Sequence, residues 1–139
     1  MDLLGRILGM VVLRPYVFVF FTVYLAIAIT RMGWRRTAIF SVIAYVVAFA
    51  AAFSSTRNGF PFGLYHYIDV TRDRELWISN VPFWDSLSFT FLCYLGWRLG
   101  VLAHAPIVLG SGDAQVVETR EIATSWRACL TGALLMTWL

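Results

Sequence analysis

The sequence has no lysine and few charged residues of any kind. Charged side chains make up 14% of its 139 residues, whereas hydrophobic residues make up 60%. A soluble domain has about 25% charged and about 45–50% apolar residues. The shortage of charge and the mean hydropathy of +0.73 therefore indicate a membrane protein.

The basic residues are too scattered for a nucleic-acid-binding protein. The net charge is +3, and all eleven basic residues are arginine, with no run longer than the pair Arg35-Arg36. Single arginines at the ends of apolar segments are typical of membrane helices that contact lipid headgroups. The sequence therefore predicts a lipid bilayer as a partner and no nucleic acid.

The sequence also lacks the residues that a disulfide framework or a metal site needs. Its two cysteines, Cys93 and Cys129, lie inside apolar segments, where a thiol behaves as a small hydrophobic group. His66 and His104 are far apart in the sequence, and neither belongs to a cluster of the kind that binds zinc. We therefore expect no metal site.

Four apolar segments predict an all-α, polytopic integral membrane bundle of about four spans. A spanning helix needs about 20 mainly apolar residues. The predicted spans are residues 16–29, residues 37–53, a third span that begins at 81 or 86 and ends at 103, and residues 126–139. The first segment also resembles a cleaved signal peptide, but the later spans preserve the membrane assignment either way. Residues 1–139 are therefore expected to form a single transmembrane domain.

A long polar and aromatic loop separates the second and third predicted spans. Residues 57–88, which include this loop, hold four of the eight carboxylates, one of the two histidines and two of the four prolines. Asn58-Gly59 indicates a turn, and the segment can form a helix from Leu64 onward. Asn80 is expected to cap the third span. Since the remainder of the chain is apolar, we expect its chemistry here.

Asp85, near the start of the third span, has two possible roles. It can cap the helix or interact favourably with the helix dipole. It can also donate a proton, because packing among Phe83, Trp84 and Phe89 would disfavour the ionised carboxylate. The sequence leaves both roles open, and one residue can serve both.

A polar stripe continues from Asp85 along the third span. At helical spacing, Asp85, Ser86, Thr90 and Cys93 fall on one side of an otherwise lipophilic helix. The pattern predicts a polar face inside an apolar setting.

The other charged residues of the loop alternate in sign. Asp69, Arg72, Asp73, Arg74 and Glu75 fall within seven positions, which predicts an ion-paired helix at the membrane surface. Ionisable groups at membrane depth are costly and therefore suggest function. Asp69 and Glu75 adjoin apolar residues and are further candidates for the acid.

His66 also has two possible roles. It lies between Tyr65 and Tyr67, where it can act as a hydrogen-bonded structural residue. It can also relay protons beside Asp69.

Aromatic residues are concentrated in and next to the loop. Most are explained by the aromatic belt at the membrane surface, but aromatic faces also stabilise a cation in a dry pocket. The residues in question are Phe60, Phe62, Tyr65, Tyr67, Trp77, Phe83 and Trp84. Carboxyl donors, aromatic walls and a membrane setting favour protonation of an alkene to a tertiary carbocation, which water then captures as a tertiary alcohol.

Three runs of residues carry a family resemblance. They are Asn58-Gly-Phe-Pro-Phe-Gly-Leu-Tyr-His-Tyr67, Thr71-Arg-Asp-Arg-Glu-Leu-Trp77 and Val81-Pro-Phe-Trp-Asp-Ser-Leu-Ser88. These runs resemble the carotenoid biosynthesis membrane-protein family, which includes carotenoid 1',2'-hydratases and bisanhydrobacterioruberin hydratase. The resemblance implies an all-helical membrane enzyme that adds water across the terminal double bond of an acyclic carotenoid, without a metal or organic cofactor.

The chain departs from this family in two respects. Family members are longer, and they carry further helices and a second motif in their later half. An acidic residue is also expected near the end of the second span, where this chain has Ala50-Ala-Ala-Phe-Ser54. The resemblance therefore implies the N-terminal part of a longer family domain, in a bacterial inner membrane, with a second chain or a homo-oligomer as a partner.

The residues and the resemblance together assign the site. Asp85 is the first choice for the proton donor, Asp69 and Glu75 are the second, and His66 would orient groups or relay protons. The residues expected to bind the carotenoid are Phe62, Tyr65, Tyr67, Trp77 and Trp84. The alternatives are a carotenoid cyclase-type isomerase, which ends with proton loss, and a non-catalytic membrane scaffold or transporter half.

Overall fold

The computed structural model describes residues 3–109 and 114–137. Three helices in this part of the chain are long and apolar enough to cross a membrane. The elements are α1 (Leu3–Leu13), α2 (Pro15–Met32), α3 (Trp34–Asn58), a 3-10 turn (Asp69–Thr71), β1 (Trp77–Ile78), β2 (Val81–Pro82), α4 (Phe83–His104), β3 (Ile107–Leu109), β4 (Ala114–Val116), α5 (Arg120–Ala123) and α6 (Trp126–Met136). The predicted all-α membrane fold is confirmed.

In the part of the chain that the structure describes, fewer helices could span a membrane than the sequence predicts. The first three predicted spans correspond to α2, α3 and α4. The fourth corresponds to α6, whose 11 residues are too few to cross a bilayer. The described part of the chain therefore holds three candidate spans where about four are predicted.

The chain divides into two compact units, Met1–Phe91 and Leu92–Leu139. In the second unit, the later part of α4 lies very close to α6. A Cβ atom at Gly100 would overlap the carbonyl oxygen of Ala128, and one at Gly132 would overlap the carbonyl oxygen of Gly96. Small residues permit this approach of two backbones within a membrane.

In the first unit, α2 and α3 form a hairpin with a one-residue connection. Pro15 begins α2, where its missing N–H costs nothing, and Gly33 separates the two helices with a φ of 79°. The hydroxyls of Tyr24 and Ser41 lie 2.7 Å apart and join the helices through a hydrogen bond. Residues 30–36, which separate the first two predicted spans, are therefore helical except for Gly33.

The sequence suggests that Asn80 caps the third span, but the structure places it elsewhere. It lies in the turn between β1 and β2, and its side-chain nitrogen donates to the Thr56 hydroxyl at 2.7 Å. Its side-chain oxygen accepts from Arg57 at 2.9 Å. Asn80 thus fastens the loop to the end of α3, and α4 begins only at Phe83.

The helix predicted from Leu64 onward does not form. Residues 64–68 contain no helix, and the single 3-10 turn Asp69–Thr71 follows them. The rings of Tyr65 and Tyr67 lie 5.3 Å apart, and their hydroxyls lie 3.3 Å apart. Residues two positions apart do not face each other on a helix, so this contact requires a non-helical backbone.

The start of α4 lies beside the middle of α3. Asn80 is bonded to Thr56, whereas the ring of Phe83 lies 5.3 Å from the ring of Tyr45. Thr56 and Tyr45 are eleven positions apart on α3, which corresponds to about 16 Å along the helix axis. The segment 80–83 therefore contacts α3 at two levels, near its end through Asn80 and near its middle through Phe83.

Candidate functional site

A hydrogen bond between Tyr67 and Asp85 is the centre of the candidate site. The Tyr67 hydroxyl donates to Oδ2 of Asp85, the third residue of α4. Tyr67 comes from the extended part of the loop, and both side chains are half-buried. The fold thus holds a carboxyl group within the first turn of a membrane helix, in contact with a phenol.

The surroundings of Tyr67 keep its hydroxyl protonated. Its ring makes edge-to-face contacts with Tyr65 and with Trp77, at centroid distances of 5.3 and 6.0 Å. Burial raises the pKa of Tyr67 well above its ordinary value of 10.0, and the hydrogen bonds with Asp85 and Tyr65 raise it further. Tyr67 therefore remains a hydrogen-bond donor to Asp85 at neutral pH.

A second group of aromatic rings surrounds Trp84, the residue next to Asp85. Trp84 makes edge-to-face contacts with Phe18 and Phe21 of α2, both at 6.5 Å, and with Phe83 at 6.1 Å. The beginning of α4 is therefore held against α2 by aromatic side chains.

The five residues predicted to bind the carotenoid do not form one group. Tyr65, Tyr67 and Trp77 contact one another in the loop, whereas Trp84 packs against α2. Phe62 is 63% exposed, and its backbone N–H donates to the Ser55 hydroxyl.

Glu75 is buried, and its partners are different from those of Asp85. It is fully buried, and its Oε2 lies 3.3 Å from Nε of Arg14, at the start of α2. The Thr71 hydroxyl donates to the other carboxylate oxygen. The partner Arg14 was missed in the sequence, because an arginine at the end of an apolar segment is read as a headgroup contact.

Asp69 lies at the surface. Its side chain is 68% exposed, and its Oδ1 lies 3.4 Å from a guanidinium nitrogen of Arg72. Within the described residues, neither Asp69 nor Glu75 forms a hydrogen bond with Asp85 or Tyr67. Of the three predicted acids, Asp85 alone contacts the aromatic part of the loop through a hydrogen bond.

His66 is exposed and lines an open cavity of about 530 Å³. The other lining residues are Arg14, Tyr67, Ile68, Val70, Thr71, Trp77 and Pro82. Since Tyr67 lines this cavity and also bonds to Asp85, it connects the open side of the loop with the carboxyl group. In the described part of the chain, no three His, Cys, Asp or Glu side chains come together in a group that could hold a metal ion.

The three apolar helices and the aromatic loop define an integral membrane helical protein. Residues 12–139 match the family described as carotenoid biosynthesis protein, so the match covers nearly the whole chain. The chain therefore belongs to the carotenoid biosynthesis protein family, which confirms the resemblance seen in the sequence. Neither the curated proteins nor the solved structures give a match.

Proposed function

We propose that the protein hydrates the terminal double bond of an acyclic carotenoid, in the inner membrane of a bacterial cell. The observation that carries this proposal is the hydrogen bond from Tyr67 to Asp85 at the start of a membrane helix. Membership of the family supports a carotenoid as the substrate class. The bilayer-spanning helices suit a substrate that is soluble in lipid and insoluble in water.

The reaction begins with proton transfer from the protonated form of Asp85. The π electrons of the terminal double bond form a new C–H bond with this proton, and the adjacent tertiary carbon becomes a cation. A water molecule then forms a C–O bond to the cation and gives its extra proton to the Asp85 carboxylate. Asp85 returns to its initial form, and the net change is the addition of one water.

Tyr67 assists the proton transfer by stabilising its product. A hydrogen bond to an ionised carboxylate is stronger than one to a neutral carboxyl group. The donation from Tyr67 therefore strengthens as Asp85 loses its proton, and such an interaction lowers the barrier. The aromatic rings at the start of α4 are suited to stabilising the carbocation electrostatically.

Tyr67→Phe is expected to slow the formation of hydrated carotenoid by about tenfold or more, because it removes one charge-assisted hydrogen bond. The rate is measured in isolated membranes that are supplied with lycopene, an acyclic carotene, and the products are separated by chromatography. Because the pKa of Tyr67 is raised, its hydroxyl stays protonated from neutral pH to at least its ordinary value of 10.0. Ionisation of Tyr67 should therefore cause no loss of rate between pH 7 and that value.

Tyr16→Phe is the matched control for this variant. Tyr16 is 56% exposed at the start of α2, and removal of its hydroxyl should leave the rate unchanged. Equal rates for Tyr67→Phe and the wild type would contradict the role assigned to Tyr67.

The reaction itself is tested with the unaltered protein in a host that makes lycopene. Membranes are incubated in water enriched in ¹⁸O, and the carotenoids are examined by chromatography and mass spectrometry. Hydration is expected to give a product that is heavier by one water and carries the label. A new product of unchanged mass would instead indicate the cyclase-type isomerase, and unchanged pigment would indicate a scaffold without catalytic activity.

A further inference from the structure

Two hydroxyl groups of α4 are buried without a hydrogen-bond partner. Ser86 and Thr90 are 1% and 0% exposed, and neither side-chain oxygen has a partner among the described residues. The hydroxyl of Tyr45, on α3, is also buried without a hydrogen-bond partner among the described residues. Burial of a hydroxyl without a partner costs free energy, so native proteins normally avoid it.

Ser86 and Thr90 differ in this respect from the hydroxyls of the two preceding helices. Five hydroxyls of α2 and α3 donate to a backbone carbonyl three or four residues earlier. They belong to Thr22, Thr30, Thr37, Ser41 and Thr56. The same bond is open to a serine or threonine on any helix. Its absence at Ser86 and Thr90 therefore indicates that both hydroxyls are directed at something other than their own helix.

The spacing of these hydroxyls suits one water molecule. Residues four positions apart on a helix have Cβ atoms about 5–6 Å apart, and a water with two hydrogen bonds of about 2.8 Å spans that gap. Phe83, Ser86 and Thr90 lie on one face of α4. Because the ring of Phe83 contacts Tyr45, this face is directed at α3. Tyr45 can therefore supply a third partner, and a buried water typically has two to four.

We infer that Ser86, Thr90 and Tyr45 hold the water molecule that attacks the carbocation. The inference rests on the proposed hydration and names the residues that position its second reactant. Ser86 directly follows Asp85, so the water is held within one helical turn of the proton donor. The water oxygen forms the new C–O bond, and its surplus proton passes to the Asp85 carboxylate.

This site determines the fate of the cation rather than its formation. Without a held water, the cation returns a proton from carbon to the Asp85 carboxylate and becomes an alkene again. In D₂O, loss of a protium from one of the three carbons bonded to the cationic centre leaves the added deuterium on carbon, in carotenoid that has gained no water. Deuterium in the unhydrated carotenoid therefore reports protonation without capture.

The test is the double variant Ser86→Ala/Thr90→Val, in membranes supplied with lycopene in D₂O. The hydrated fraction is expected to fall by about tenfold or more, because the loss of groups that position a reactant lowers the rate by an amount of this order. Deuterium in the unhydrated carotenoid should rise above the wild-type level. The Tm of the purified protein should stay close to the wild-type value, because the substitutions remove the hydroxyls of Ser86 and Thr90 together with the water that they bind. Tyr45→Phe should change the products in the same direction.

Three single variants complete the test. Thr90→Ser keeps the hydroxyl and should retain most of the hydrated product, whereas Thr90→Val keeps the shape and should lose it. Thr22→Val removes a hydroxyl that is bonded within α2 and should change neither product.

The outcomes separate this inference from the hydration proposal. A wild-type hydrated fraction in Ser86→Ala/Thr90→Val, or equal losses in Thr90→Ser and Thr90→Val, would overturn the water site and leave hydration standing. A lower Tm, with equal loss of the hydrated carotenoid and of the deuterium-labelled unhydrated carotenoid, would show that the hydroxyls are structural. That result would also overturn the water site. If the wild-type protein forms no hydrated carotenoid, the hydration proposal and the water site fall together.

Discussion

Asp85→Asn is expected to lower the formation of hydrated carotenoid by at least about hundredfold, because general acid catalysis contributes about 10²–10⁴-fold. Asparagine has the same shape and can still accept the hydrogen bond from Tyr67, so the fold should persist. It has no carboxyl proton to transfer. The variant should therefore also leave no deuterium in carotenoid recovered from membranes in D₂O.

The control for this variant is Asp73→Asn, which removes an exposed carboxylate from the same loop. Its rate should equal that of the wild type, because single exposed charges contribute little. Hydrated carotenoid formed by Asp85→Asn at the wild-type rate would exclude Asp85 as the acid. The proton donor would then have to be sought at Glu75 or Asp69.

Glu75→Ala is expected to cause the largest loss of stability. Removal of one member of a buried ion pair costs about 3–5 kcal/mol, because the remaining charge is left without a partner. Here the charge left behind is on Arg14, whose side chain is 29% exposed, and the Thr71 hydroxyl also loses its acceptor. The free energy of unfolding in detergent, measured by denaturant titration, should fall by an amount of this order.

A double variant separates a structural role of Glu75 from a catalytic one. Arg14→Met/Glu75→Leu removes both charges and fills the space with apolar atoms, a replacement that is often neutral or stabilising. If Glu75 serves only the ion pair, this variant should recover both stability and hydration. A folded double variant that forms no hydrated carotenoid would instead place Glu75 in the chemistry.

The spanning helices could be predicted because their signal is local. A long run of apolar residues indicates a membrane helix whatever surrounds it, and Pro15 and Gly33 mark helix ends by their own backbone preferences. The family could likewise be inferred from short runs of residues. Fold class and family are therefore available from the sequence alone.

The loop could not be predicted in the same way, because contacts between distant residues determine its structure. Asparagine is a preferred residue at helix N-termini, yet Asn80 is hydrogen-bonded to Thr56 and Arg57 at the end of α3. Residues 64–68 can form a helix by composition, but the contact between Tyr65 and Tyr67 requires an extended backbone. Tertiary contacts outweigh local propensity at both places.

The sequence names candidate residues for the site, but it does not predict which of their side chains form pairs. Asp85 and Tyr67 are both recognisable in the sequence, yet they are eighteen positions apart and no spacing rule connects them. The ion pair of Glu75 with Arg14 is more distant still. A single sequence indicates which side chains are chemically unusual, whereas the fold decides which of them meet.

The position of α4 beside the middle of α3 bears on how two reactants that do not mix can meet. A carotenoid drawn up to the bilayer surface would expose apolar area to water, at a cost of about 25 cal/mol per Å². The ring of Phe83, two residues before Asp85, contacts Tyr45, so the start of α4 lies beside the middle of a candidate span. In the proposed hydration, the long polyene would then react without leaving the hydrocarbon layer, and water would travel inward to it.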